Sequence, residues 1–512
     1  MGKFYVTTPI FYPNARPHVG TAFMVIGTDV LARYHRLIGD EVFFLTGTDE
    51  HGEKIQKVAE AQGVTPQALV DEMVQKFKAP WEQLSISYDG FVRTTEKRHE
   101  KVVQDLFQKA YDRGDIYEGT YEGLYCTPCE SYWSETEAKG AECPQCGRPV
   151  RKLTESAYFF ALSKYQDRLE NLLKERPEFI QPDFRRNEMV ANFLKPGLRD
   201  VCISRSSITW GVPVPVNNRH VVWVWFDALP NYLSGIGYLS DEEQFRKWWP
   251  ADIHVVGKDI VRFHTLLWPA MLMAAGLELP KRVYAHGFVV LEGAKMSKSL
   301  GNVVHPEEIA ERYGADALRY YLMREIPFWT DGSYSEEKLV RRFNHDLGND
   351  LGNLVLRTLS MIERYFQGKI PPRPAGSIEE WNPQDRSLLG TALEVHENLA
   401  NCMDGLEFSR ALEGIWDVVR MANRYVEETQ PWALAKDPGQ RARLEAVMYN
   451  LAEACRLLSV YLAPFMPTTC ASIRRQFGLG PITRRLCEEV RWGQSEPGTP
   501  IQRGEPLFPR VE

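Results

Sequence analysis

The stretch that most constrains this chain runs from Tyr5 to Thr21. A short apolar run, Phe4 to Thr7, reads as a strand, and a loop stiffened by Pro9, Pro13 and Pro17 follows it. From His18 onward Val19, Phe23, Ile26, Val30 and Leu31 fall at helical spacing. A strand feeding a helix through a short loop gathers unpaired backbone N–H groups and the positive end of the helix dipole in one place, which suits phosphate. Pro17 is a helix-start residue, Gly20 has no side chain to hold a nucleotide away, and His18 can donate to a phosphate oxygen. Taken alone, the same turn also fits a purely structural part.

Length and charge set the bounds. A chain of 512 residues predicts two to four domains around more than one core. Its formal net charge of −7 excludes an overall positive field, so any RNA surface must be a local basic patch. The start, Met1 to Phe4, runs straight into the first strand and leaves no room for a signal peptide. No apolar run approaches the roughly 20 residues that span a bilayer. The expectation is a cytoplasmic protein with no membrane contact.

Residues 1–113 alternate strands and helices, the pattern of a parallel α/β sheet. Glu41 to Thr46 reads as a buried strand ending in Gly47-Thr48-Asp49-Glu50-His51-Gly52. Polar residues at a strand's carboxyl end are where ligands bind in such sheets. Asp49 equally suits a cap on the helix that begins near Glu53. Between 114 and 224 the alternation breaks, and Cys126-x2-Cys129 and Cys143-x2-Cys146 stand 13 residues apart. Two such pairs match one closed, tetrahedral structural zinc site, with metal supplying order where apolar residues are few. The other five cysteines are scattered through apolar or helical text and read as buried thiols.

From Val221 the sheet is expected to resume, with an aromatic run at Trp223, Trp225, Phe226 and Tyr232 and a strand from Ile253 to Val256 ending in Gly257-Lys258-Asp259. An aromatic stripe is ordinarily core. A thioether ligand gives a reason for an exception, since it is recognised by shape and by sulfur–aromatic contacts of about 0.3–1.5 kcal/mol. A stretch from 289 to 345 holds Lys295-Met296-Ser297-Lys298-Ser299. After about 345 the text becomes amphipathic helices, among them Phe408, Leu412, Ile415 and Val419, a helix bundle over 346–512.

His18-Val19-Gly20-Thr21 together with Lys295 to Ser299 resembles the two motifs of class I aminoacyl-tRNA synthetases. The second motif matches completely; in the first, Thr21 stands where the family usually has a second His. Tyr5–Gly20, Phe44–Gly52, Trp225–Tyr232 and Gly257–His264 look like the methionyl-tRNA synthetase family, short bacterial type, along essentially the whole chain. The resemblance implies a Rossmann-type catalytic domain in two halves (1–113 and 225–288), split by a zinc-bearing connective insertion (114–224). A lysine-motif and stem-contact region (289–345) and an all-α anticodon-binding domain (346–512) complete it.

The resemblance also implies the chemistry: ATP-dependent activation of L-methionine to methionyl-adenylate, then transfer to the terminal adenosine of methionine tRNA, initiator and elongator alike. His18, Lys295 and Lys298 are the implied catalytic residues. ATP is implied at Gly20, Thr21, Gly257, Asp259 and Lys295, Met296, Ser297, Lys298, Ser299, with Mg2+. Methionine is implied at Ile10, Tyr12, Asp49, Trp225, Ala228, Tyr232, Ile260 and His264. His51 reads either as a sugar contact or as a packed imidazole. Asn353, Arg357 and Trp432 are implied to read the anticodon, since single-stranded bases stack on an indole and pair their edges with Asn or Arg. The chain stops at Glu512 without the appended oligonucleotide-binding barrel by which longer relatives dimerise, so a monomer is expected. A synthetase for another apolar amino acid would need a large editing insertion, and an inactive RNA-binding paralogue would have no need of Asp49 and both lysines.

Overall fold

The computed structural model describes residues 2–135, 137–138, 141–144, 146–291, 294–295 (backbone only) and 303–511. Six parallel strands form the central sheet: β1 (Lys3–Thr7), β2 (Glu41–Thr48), β3 (Gly90–Arg93), β4 (Ile180–Gln181), β5 (Ile253–Gly257) and β6 (Val283–His286). Their order is β3-β2-β1-β5-β6-β4. The chain leaves β1 to one side for β2 and returns on the other at β5, so a crevice opens at the carboxyl ends of β1 and β5, where ligands bind in open parallel sheets.

The first crossover helix, α1 (Val19–Ile38), starts one residue after His18, whose Nδ1 accepts the Thr21 N–H at 3.2 Å as a helix cap. Apolar side chains cover α1 nearly all round because both of its sides are buried: the sheet lies on one, and helices from the carboxyl-terminal half lie on the other. At Gly27 that approach is so close that a Cβ would sit 2.5 Å from the Phe328 ring and 3.2 Å from Phe408. The opposite face of the sheet, from which Tyr5 and Leu45 project, carries a separate core with Phe226, Tyr232 and Trp268.

The insertion is built on a four-stranded antiparallel sheet whose long pair is Ile116–Cys126 with Arg151–Phe160. Within the same stretch of chain, β4 returns to the edge of the central sheet. The strand expected to restart the central sheet at Val221 does otherwise: Asn217–Val222 pairs antiparallel with Ser204–Arg205 and Pro213–Val214. The central sheet resumes only at Ile253.

Beyond the sheet, α2 (Ala315–Glu325) precedes the bundle of α3 (Asn353–Phe366), α4 (Pro383–Asp404), α5 (Phe408–Thr429) and α6 (Arg441–Tyr461). From Val447 to Tyr461, α6 is buried on every side, which makes it the central helix. Among the described residues no helix is long and apolar enough to cross a membrane.

Candidate active site

Three backbone hydrogen bonds lace the loop after β1 to the end of β2: Thr8 N–H to Leu45, Phe11 N–H to Gly47 (2.9 Å) and Asp49 N–H to Phe11 (2.8 Å). This lacing sets Ile10 and Tyr12 beside Asp49. The Tyr12 hydroxyl donates to the His51 carbonyl at 2.6 Å. Gly52 has φ +105°, and a Cβ there would meet the Tyr12 hydroxyl at 2.6 Å, so this turn needs glycine. Gly52, not Asp49, occupies the cap position of the helix Glu53–Gln62. Asp49 is therefore left for the crevice.

Ile10, Asp49, Trp225, Ala228, Tyr232, Ile260 and His264 line one cavity of about 40 Å³. That is room for about three or four non-hydrogen atoms, the size of an unbranched thioether side chain. Tyr12 stands just outside this lining. Trp225 stacks on Phe263 with ring centroids 3.9 Å apart, and Tyr232 stacks on His254 at 4.1 Å. His264 Nδ1 donates to the Ile260 carbonyl (3.1 Å), which leaves Nε2 to accept from the Tyr232 hydroxyl at 2.7 Å. Burial pushes the His264 pKa down to about 4, so the imidazole is neutral. His264 sits in a π-helical turn, Phe263–Leu267, whose wider winding turns its ring toward the cavity.

Three polar atoms of the lining residues are buried and unpaired: Asp49 Oδ1, Trp225 Nε1 and Asn231 Oδ1. Burial first, then the charges of Asp227, Glu130 and Glu50, push the Asp49 carboxyl well above the usual carboxylate range. A buried carboxylate oxygen facing an apolar slot calls for a cationic donor.

Behind this wall lies a network that sequence reading missed. Buried Asp227 accepts from His51 Nδ1 (2.7 Å) and from His99 Nε2 (3.0 Å), and His99 Nδ1 meets the Ser234 hydroxyl at 2.8 Å. Burial works to raise the Asp227 pKa, but the two imidazoles hold it below the usual range. The His51 ring is packed: it is held by Asp227 and lies edge-on to Trp210 at 5.3 Å.

At the carboxyl end of the crevice's other strand, Gly257 closes β5. A Cβ on it would lie 2.6 Å from Asp259 Oδ1 and 3.8 Å from His286 Nε2. His286 was also missed. Its Nδ1 donates to Gly287, burial holds its pKa down to about 4, and its Nε2 is buried without a partner. The rule that singled out Asp49, a polar residue at a strand's carboxyl end, would have found it.

Met296, Ser297, Lys298 and Ser299 lie outside the described residues, as does the Lys295 side chain. The segments flanking them are placed. Val289–Leu291 pairs antiparallel with Ala294–Lys295, and just after the motif the Val304 carbonyl accepts the Val19 N–H at 2.9 Å. His305 Nδ1 donates to the Pro17 carbonyl at 2.8 Å, and Glu307 pairs with Arg16. The chain just after the second motif is thereby docked at the start of α1, beside His18, Gly20 and Thr21.

The four knuckle sulfurs lie within 4.8 Å of one another, Cys126 to Cys146 at 3.7 Å and Cys129 to Cys143 at 4.0 Å. Tetrahedral zinc–thiolate bonds of about 2.3 Å require sulfurs roughly 3.8 Å apart, so the four cysteines fit one closed site. Arg262, two residues beyond Ile260, stacks on Trp133 of the knuckle and ties it to the cavity wall. Far from the crevice, Asn353 and Arg357 share one face of α3, and the Arg357 guanidinium lies 5.9 Å from the Trp432 ring, which is 37% exposed.

The profile described as tRNA synthetases class I (M) matches residues 4–152 and 148–359, and that of the anticodon-binding domain of methionyl tRNA ligase matches 374–512. The Methionine–tRNA ligase of Caldanaerobacter subterraneus subsp. tengcongensis is 51% identical over 99% of this chain and 79% of its own length. That of Clostridium acetobutylicum is 50% identical over 100% of this chain and 78% of its own. Mycobacterium tuberculosis methionyl-tRNA synthetase in complex with methionyl-adenylate superposes with a TM-score of 0.95 at 42% identity, covering all of both chains. Its free state superposes at 0.86 and 39% identity. Fold and crevice thus define a class I aminoacyl-tRNA synthetase. Within that class the chain belongs to the methionyl-tRNA synthetase family.

Proposed function

We propose that this chain activates L-methionine with ATP and transfers the methionyl group to methionine tRNA. The observation that carries the reading is the convergence of Asp49, with its unpaired buried oxygen, and the aromatic slot of Trp225, Tyr232 and His264 on one cavity of about 40 Å³. Asp49 receives the α-ammonium, Ile10, Ala228 and Ile260 bound the side chain, and Tyr12 closes the slot. The neutral Tyr232–His264 pair presents no net charge to the sulfur.

An α-carboxyl group ordinarily titrates at about pH 3.5, so that of methionine is ionised at neutral pH and needs no protein base. One carboxylate oxygen attacks the α-phosphorus as the bond to pyrophosphate breaks. Catalysis then rests on in-line positioning and on stabilising charge at the phosphates. ATP enters as its magnesium complex. Gly20 and Thr21 at the start of α1 let the triphosphate approach, and His18, Lys295 and Lys298 stabilise the departing pyrophosphate, with Met296, Ser297 and Ser299 shaping their loop. Thr21 offers a hydroxyl where the family usually has an imidazole, so it donates without charge. Gly257, Asp259 and the His286 Nε2 acceptor hold the nucleoside.

The 2′-hydroxyl of the terminal adenosine then attacks the methionyl carbonyl and AMP leaves. Cys126, Cys129, Cys143 and Cys146 would hold one zinc ion, which orders the knuckle over the crevice and takes no part in the reaction. Asn353, Arg357 and Trp432 read the anticodon of initiator and elongator tRNA, and the chain acts as a monomer in the cytoplasm. Amino-acid-dependent exchange of labelled pyrophosphate into ATP tests the reading. Methionine alone should support exchange; exchange with leucine, isoleucine or valine instead, or none, would overturn it.

A further inference from the structure

At the opposite end of α1 from His18, about 30 Å away by helical rise over its 20 residues, a groove of about 690 Å³ opens between the two halves of the molecule. Arg33, Arg36 and Tyr88 line it from the sheet side, and Pro464, Arg484 and Arg485 from beyond the bundle. Its size is that of a small-molecule site. Its charge is unusual for a chain of net −7: four guanidiniums face one carboxylate, Asp89. That carboxylate is already engaged by Arg36 at 2.6 Å and by the Phe44 N–H at 2.8 Å.

Two of the arginines are held in place. Arg33 is fixed by Asp29 (2.7 Å) and the Ser85 carbonyl, and Arg36 by Ser87 and Asp89. The other two are exposed. Arg484 donates only to the neutral Gln494, and Arg485 lies against the turn at Gly39, with no ion pair among the described residues. Fixed guanidinium forks beside uncompensated ones make a phosphate-binding arrangement, since the planar fork matches phosphate oxygens in pairs. Tyr88, Leu37 and Ile482 add an aromatic and apolar wall.

We infer that this groove binds the polyphosphate group of a small anion, separately from the ATP crevice, and bridges the catalytic and bundle halves when it does. The ligand is either a nucleoside triphosphate, with its base against Tyr88, or a bare polyphosphate chain.

The test uses the full chain with its crevice filled by a non-hydrolysable methionyl-adenylate analogue, titrated with GTP and, separately, with inorganic tripolyphosphate. One equivalent should bind per chain. Arg484→Glu with Arg485→Glu should weaken it at least ten-fold while leaving methionine-dependent pyrophosphate exchange unchanged. Tighter binding of GTP than of tripolyphosphate assigns the nucleotide; equal affinity assigns the bare chain. Absence of saturable binding, or binding unchanged by the double substitution, overturns the inference. If no triphosphate binds but the double substitution raises the KM for tRNA, the groove is an RNA contact and the inference fails.

Discussion

Asp49 carries two opposed demands. Its carboxyl is most useful ionised, yet burial and three neighbouring acids push its pKa well up. A carboxylate whose folded pKa is raised costs stability as pH climbs from its unfolded toward its folded value, and the cost is complete once pH exceeds the folded value. Asp49→Asn is therefore expected to raise the Tm of the free protein, by roughly 1–3 °C for a relief of about 1 kcal/mol. The same substitution should raise the KM for methionine by about 10- to 100-fold, because a charged hydrogen bond is worth about 1.5–3 kcal/mol. In the unsubstituted protein that KM should rise as pH falls through the raised pKa. Calorimetry and pyrophosphate exchange measure both; a less stable Asn variant with unchanged KM would remove Asp49 from the site. Lys298→Ala should slow pre-steady-state adenylate formation by orders of magnitude with little change in methionine affinity, because charge on the phosphates redistributes only as the bond breaks.

At the scale of elements, the knuckle and the anticodon face separate structure from chemistry. Cys126→Ser with Cys129→Ser should abolish bound zinc by elemental analysis and destabilise the insertion before it impairs the crevice. Trp432→Ala should raise the KM for tRNA about ten-fold or more while leaving pyrophosphate exchange intact, one base stack being worth roughly 1–3 kcal/mol. Loss of both activities would make Trp432 a support of the bundle. What could be read in advance followed local period and spacing: the turn into α1, the four cysteines, the helix stripes of α5 and α6. What could not were pairings across long separations. Asp227 and His99 are 128 residues apart; Asp227 is a single polar residue in apolar text, while His99 is hidden in the charged run from Glu96 to Lys101, and no period marks either. β4 is two residues long, too short for any alternation, and the strand at 217–222 has a buried run that does not say which sheet it joins.

Across the whole molecule, Arg319 of α2 is the deepest tie. It is fully buried, pairs with Asp29 of α1 at 2.8 Å, and donates to the carbonyls of Leu84, Pro464 and Phe465. Burial acts to raise the Asp29 pKa, but Arg319 and Arg33 hold it below the usual range. This link is accordingly intact at neutral pH and lost as acid protonates Asp29. Arg319→Met should cost about 3–5 kcal/mol, because Asp29 and three carbonyls lose a buried partner; urea unfolding at pH 7 reads the change. An unchanged midpoint would mean the halves are joined by apolar packing alone.

That packing has its own consequence for how the gene can be cut. Phe328 and Tyr320, on the amino-terminal side of residue 345, pack on Phe408 and Trp416 of the bundle, so no boundary near residue 345 leaves a catalytic fragment with a polar exterior. Residues 1–345 made alone should come out of the cell as insoluble material. Made together with 346–512 as a second polypeptide, they should be recovered as a soluble pair, each half serving as the other's missing surface.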